Sequence, residues 1–307
     1  MKIAIIGRSE ILYSTAKLLL AKGYEIALVI TAKSSPEYTK KENDFKSFAK
    51  KINARYIFST DLNQNLEEIK NTKCEIAVSI NFSKIISKKI IDIFPLGILN
   101  AHAGDLPRYR GNACIAWAIL NGENKIGLCV HSMVGGELDS GNIIERDYLA
   151  ININTKITEC WDWIGKRIPS MFLSAIVNLK KNKNYYLQKQ SNNLKDVLRC
   201  YPRITKDNKI DWNKSNEDIL RLINASNKPY GGAYCYYDNV KLKIWDAEIF
   251  VNDENYLSEV GQITKIDKSG SIVVITGKGK LQINLIECNG EIIKPHKKIK
   301  SIRKRLE

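Results

Sequence analysis

Three side chains suited to moving an acyl group stand near the middle of this chain. Asn100 and His102 are two residues apart at the end of an apolar run, so on an extended backbone both project to the same side. Asp139 follows in a glycine-flanked loop, Gly135-Gly136-Glu137-Leu138-Asp139-Ser140-Gly141. An amine that attacks an acyl carbon must lose a proton, the carbonyl oxygen must be stabilised as it becomes an oxyanion, and the leaving group must gain a proton. Imidazole titrates near neutrality, which makes His102 the candidate base. A carboxylate such as Asp139 suits the supporting role of orienting the ring and stabilising the imidazolium. Asn100 offers an uncharged donor to the oxyanion.

Other residues near the trio read less sharply. Of the two remaining histidines, His131 lies in the apolar run 128–133 and reads as a hydrogen-bonded structural residue, and His296 lies in a basic tail and reads as solvated. Between the candidate base and acid come a Gly/Pro break, Gly104-Asp105-Leu106-Pro107, and a basic turn, Arg108-Tyr109-Arg110-Gly111. An arginine fork suits the oxygens of a diphosphate; equally, the turn serves only to shape the loop.

The elements that must position these groups follow from periodicity. Short β-branched runs at 2–6, 25–30, 55–58, 75–80, 96–100 and 126–133 alternate with helical patterns at 9–22, 45–52, 63–71, 85–93 and 114–120. Alternation of this kind predicts an α/β fold with a doubly wound, mostly parallel sheet and right-handed crossovers. Asn100 and His102 then fall beyond the carboxyl end of a strand, where such sheets bind ligands. The first turn lacks the full G-x-G-x-x-G fingerprint, so no dinucleotide is inferred. A long helix is expected at 155–179, with Pro169 kinking it or marking a boundary. From about residue 185 the texture changes to short strands at 209–212, 233–237, 240–244, 260–266, 271–276 and 281–287 with one helix at 215–226, which predicts a smaller β-rich, OB-like barrel domain. The expected domains are therefore residues 1–184 and 185–307.

The motifs Asn100-Ala-His102, Leu106-Pro107-Arg108-Tyr109-Arg110-Gly111 and Leu138-Asp139-Ser140-Gly141 resemble the core motifs of the folate-dependent formyltransferases, in order and at matching spacing. Tyr201-Pro202-Arg203, Ile210-Asp211-Trp212 and Pro229-Tyr230-Gly231-Gly232-Ala233 resemble the C-terminal domain shared by the methionyl-tRNA and sugar members of that family. The resemblance implies a Rossmann-like catalytic domain with Asn100, His102 and Asp139 as its catalytic trio. It implies 10-formyltetrahydrofolate as donor and no metal. The pterin would lie against Ile80, Asn81, Phe82 and Ile85 and against the backbone of Val134, Gly135, Gly136, Glu137 and Leu138. Asp105, Arg108, Tyr109 and Arg110 would border the acceptor. Where the family usually has Ser-Leu-Leu-Pro after the histidine, this chain has Gly104-Asp105-Leu106-Pro107, which bears on the acceptor more than on the chemistry.

Composition sets the remaining bounds. The chain has 307 residues, 44% hydrophobic and 26% charged, as expected of a water-soluble globular protein. Seven cysteines without a CxxC pair argue against a disulfide framework or zinc cluster and for free thiols in a reducing compartment. The opening MKIAIIG reads as a strand rather than a secretion signal, and no apolar run reaches membrane-spanning length, so a cytoplasmic protein without a membrane partner is expected. The net charge of +15 suits nucleic acid or anionic small molecules, or is simply a compositional bias toward lysine. The stretch 31–43 is basic but short for a tRNA-binding loop, and the Asn-Ala-His-Ala-Gly-Asp pattern differs from that usual in the tRNA enzyme. Both features favour a nucleotide-linked amino sugar as acceptor, with initiator tRNA as the alternative. A further alternative is a nucleic-acid-binding protein with a degenerate catalytic domain. The reading leaves room for a homodimer.

Overall fold

The computed structural model describes residues 1–191, 193–252 and 254–307, which form two compact units. The first comprises Met1–Cys114, Ile126–Leu149 and Asp162–Cys200; the second comprises Ile115–Lys125, Ala150–Trp161 and Tyr201–Glu307.

The chain opens with β1 (Lys2–Gly7), α1 (Glu10–Ala21), β2 (Glu25–Thr31), α2 (Glu42–Lys51), β3 (Arg55–Phe58), α3 (Leu66–Asn71), β4 (Ile76–Ile80), α4 (Lys88–Ile91) and β5 (Ile98–His102). There follow β6 (Arg110–Gly111), α5 (Cys114–Leu120), β7 (Lys125–Ser132), β8 (Ile143–Ala150), α6 (Ile157–Lys181) and β9 (Arg199–Cys200). The main sheet has the order β3-β2-β1-β4-β5-β7-β8. Its pairs from β3 through β5 are parallel, and β5 meets β7 antiparallel. This is the doubly wound sheet expected from the alternating pattern. The β-branched runs are the reason: β4 is buried at all five positions, as a strand covered on both faces must be. Ala4, Ile6, Leu28, Ile30, Ala77 and Ile98 from the sheet pack with Ile69, Ile86, Ile90 and Phe94 from one covering layer.

In the second unit, α7 (Asn216–Ala225) begins at Ser215, whose hydroxyl accepts the Asp218 N–H at 3.0 Å, a standard N-cap. The strands β10 (Ala233–Tyr237), β11 (Val240–Phe250), β12 (Ile263–Ile266), β13 (Ile272–Ile275), β14 (Lys280–Cys288) and β15 (Glu291–Ile293) form an antiparallel sheet in the order β10-β11-β14-β13-β12, with β15 on β14. Their inward residues bury Ile219, Leu220 and Ile223 of α7.

Four expectations need correction. Residues 185–200 belong with the first unit rather than the second, because Leu187 and Gln188 pair with Ile143, and β9 pairs with β6. Residues 209–212 do not form a strand but a single bridge from Lys209 to Tyr234. The helix expected over 85–93 shrinks to α4. Pro169 marks no boundary: it lies within the continuous α6, where buried Ile164, Ile168, Met171 and Phe172 flank it and outweigh its missing N–H. Among the described residues no helix is long and apolar enough to cross a membrane.

Candidate active site

The site is built on the antiparallel pairing of β5 with β7. Register sets Asn100 opposite His131 and His102 opposite Cys129. The pleat puts Asn100, His102 and His131 toward one region. After β7 the chain leaves the sheet and returns at Ser132, whose N–H donates to the Asn142 carbonyl at 2.9 Å. This return needs a glycine: a Cβ on Gly141 would stand 1.8 Å from the Ser132 carbonyl oxygen. The loop so closed carries Asp139 in the left-handed region, φ 53°, which Asp tolerates better than most residues.

The three predicted catalytic residues come together with His131. Asp139 Oδ2 lies 3.4 Å from His102 Nδ1, and its Oδ1 lies 3.5 Å from His131 Nε2. The Gly111 N–H donates to Asp139 Oδ2 at 3.0 Å. His131 Nδ1 is 2.9 Å from the Ser132 carbonyl, which can only accept, so Nδ1 carries the hydrogen. In the neutral ring Nε2 is then an acceptor, and it receives the Asn100 Nδ2–H at 3.2 Å. His131 thus stands between the amide and the acid. Its sequence position in an apolar run gave no sign of this; only the register of β5 on β7 reveals it.

Burial sets the electrostatics. His102 and Asp139 are 9% and 8% exposed. Burial is the main influence on His102 and pushes its pKa below the ordinary 6.5, against the Asp139 charge, which raises it. Burial also works on Asp139, in the upward direction, but His102, His131 and the Gly111 N–H together outweigh it and hold the carboxyl well below the usual range. His102 Nε2 donates to the Tyr109 carbonyl at 2.6 Å. Tyr109, at φ 56° and 4% exposed, holds that carbonyl in place, and Gly104 makes room: a Cβ there would lie 2.5 Å from His102 Nε2.

The other expected site residues divide. Ile80 is buried, and the Asn81 carbonyl accepts the Arg8 Nε–H at 2.8 Å, so Ile85 is the exposed apolar side chain of that segment. Phe82 packs on the core. Gly135 of the second segment lies against Lys88, where a Cβ would come 2.6 Å from the Lys88 Cα, so the two segments meet at that point, and each carries an exposed apolar side chain, Ile85 and Val134. Gly136 takes φ 80°, and the Glu137 N–H closes the turn onto the Val134 carbonyl. Leu138 is half-buried. Asp105, expected at the acceptor, meets β8: Arg146 Nη1 lies 3.5 Å away and the Tyr148 hydroxyl donates to it at 3.0 Å. Arg110 points its fork at Gln190, and the exposed Arg108 guanidinium lies 5.4 Å from the Tyr109 ring centre. Among the described residues no three His, Cys, Asp or Glu side chains gather as metal ligands.

Residues 1–176 match the Formyl transferase family, and residues 203–303 match the family's C-terminal domain. The chain belongs to the formyl transferase family. Within the family it is similar to the methionyl-tRNA formyltransferase of Clostridium acetobutylicum, 32% identical over 95% of this chain and 93% of that one. The methionyl-tRNA formyltransferase of Acetivibrio thermocellus is 28% identical over 94% of this chain and 92% of that one. Among solved structures, the sugar 3N-formyl transferase WlaRD, crystallised in the presence of dTDP and 5-N-formyl-THF, superposes with a TM-score of 0.66 over 95% of this chain and 98% of that one, at 22% identity. That likeness is one of fold.

Proposed function

We propose that this formyltransferase moves a formyl group from 10-formyltetrahydrofolate to the α-amine of methionine carried on initiator tRNA, in the cytoplasm. The observation that carries the chemistry is the meeting of half-buried Asn100 with buried His102 and Asp139 in one cluster around His131. The acceptor rests on the curated relatives, whose similarity runs through the second domain as well as the first. It replaces the amino sugar that the sequence favours: the sugar enzyme shares the fold at an identity that does not distinguish acceptors.

The residues present suit the donor. Ile85 and Val134 are exposed apolar side chains on two segments that meet where Gly135 lies against Lys88, and apolar side chains beside free peptide groups suit a flat heteroaromatic ring with hydrogen-bonding edges. When bound, the folate supplies the formyl carbon as an amide-like acyl group. Asn100 points its amide at the cluster and stabilises negative charge on the formyl oxygen. His102 takes the proton of the incoming amine through Nε2 and gives it to the departing donor nitrogen, which requires Nε2 to leave the Tyr109 carbonyl it faces at 2.6 Å and the ring to carry its hydrogen on Nδ1, toward Asp139. Asp139, facing Nδ1, stabilises the imidazolium that results. Burial keeps the ring uncharged until then.

Charged initiator tRNA and a nucleotide-linked amino sugar, each offered with labelled 10-formyltetrahydrofolate, decide the acceptor. Label in methionyl-tRNA is expected; label in the sugar alone overturns the acceptor. Steeply salt-dependent RNA binding with no transfer to either would show a binding protein with a degenerate catalytic domain.

A further inference from the structure

We infer that Gln190 is a positioning residue that sets Asp139 against His102, an assignment that rests on the active-site reading above. Gln190 is 4% exposed and far from the trio in sequence. Its Nε2 donates to the Asp139 carbonyl at 2.9 Å and to the Gly141 carbonyl at 2.7 Å. Its Oε1 accepts from Arg110 Nε at 3.2 Å and from Arg110 Nη2 at 2.7 Å. Both amide hydrogens and both oxygen lone pairs are used, so the donors on the other side fix which way the amide faces.

The connectivity gives these bonds a purpose beyond packing. Gly111, next to Arg110, donates to the Asp139 carboxylate at 3.0 Å. The path from Asp139 Oδ2 through Gly111 and Arg110 to Gln190 and back to the Asp139 carbonyl is a closed circuit. It grips the residue at its side chain and at its backbone. Asp139 holds a left-handed conformation that most residues avoid, and such a conformation persists only where its surroundings determine it. Gln190 is itself anchored: the Ile143 N–H donates to the Gln188 carbonyl at 2.8 Å, and the Leu187 N–H returns to the Ile143 carbonyl at 2.8 Å. The stretch between α6 and β9 therefore serves the site rather than only linking domains.

Two variants of the full-length protein separate positioning from packing. Gln190→Met keeps the length and removes all four bonds. Gln190→Glu keeps an acceptor for Arg110 but has no hydrogens for the two carbonyls. Both are expected to lower kcat by roughly 10- to 10²-fold with the KM for folate little changed, as for a misplaced catalytic group. In Gln190→Met the His102 titration, followed by NMR on ring-labelled histidine, is expected to move to lower pH, because Asp139 raises it and would stand further off. Asp139, His131 and Arg110 are the charges that act on that ring, Asp139 most strongly, and the Cys129 thiol stands opposite it across the β5–β7 pairing. Wild-type kcat in Gln190→Glu, or an unmoved His102 midpoint in Gln190→Met, would overturn the assignment. Absence of transfer by the wild-type protein would sink the reaction instead, while the titration still judges Gln190.

Discussion

Asn100 does not ionise near neutral pH, so in the proposed reaction it acts through the hydrogen bonds of its amide. Replacing it with alanine removes one donor to a developing oxyanion, and a loss of roughly 10²–10³-fold in kcat is expected. The KM for folate should stay near the wild-type value, because the interaction strengthens only in the transition state. A variant that loses KM and keeps kcat would show that Asn100 binds rather than catalyses. His102 makes a prediction about pH. Its pKa is held below 6.5 chiefly by burial, so the ring stays unprotonated into mildly acidic solution, and the acid limb of kcat/KM should fall below that value. Asp139→Asn removes the negative charge that raises the ring's pKa. The limb should then move to still lower pH while kcat falls. A limb that moves upward in Asp139→Asn would contradict the pairing of these residues.

At the scale of elements, the site depends on one strand pairing and one loop return. Gly141 permits the return, since any Cβ would meet the Ser132 carbonyl at 1.8 Å. Gly141→Ala must open the loop, and Asp139 is two residues away. The expected outcome is a lower thermal midpoint together with a loss of kcat at least as large as that of Gln190→Met, read by calorimetry and steady-state assay. Unchanged activity would mean that Asp139 finds His102 without that closure. The sequence made the strands legible because fully buried β-branched runs have few alternative readings, and Asn100, His102 and Asp139 stood out because they flank strand ends. What it did not reveal depends on long-range register. His131 became visible only as the cross-strand partner of Asn100, and Gln190 only through loops that meet from 51 residues apart. That Arg146 and Tyr148 reach Asp105 from β8 was equally out of sight in the sequence.

At the scale of the molecule, protons and salt act on different parts of the protein. His102 and Asp139 both have folded-state pKa values below their ordinary 6.5 and 3.8, so the unfolded chain binds more protons on the acid side of each. Their stabilising contributions are complete above those values and fade as pH falls through them. Between about pH 7 and pH 5 only His102 contributes, and a His102→Asn variant should lose less thermal stability over that interval than the wild type. Salt bears on the acceptor. The net charge is +15, and the tail 294–305 carries seven lysines and arginines. An RNA acceptor held through phosphates releases counterions on binding, so log affinity falls linearly with log salt, by roughly 0.7–0.9 per phosphate neutralised. A small folate carries too few charges to show such a slope. The KM for methionyl-tRNA should therefore rise steeply between about 50 and 200 mM salt, while the KM for folate stays nearly level. Charge reversal at Lys297, Lys298 and Lys300 should flatten the first slope and leave kcat at saturating tRNA unchanged, which also separates binding through the tail from any effect on the trio. If the tRNA slope is as shallow as the folate slope, the positive charge is not there for RNA, and the nucleotide-linked amine becomes the acceptor to test first.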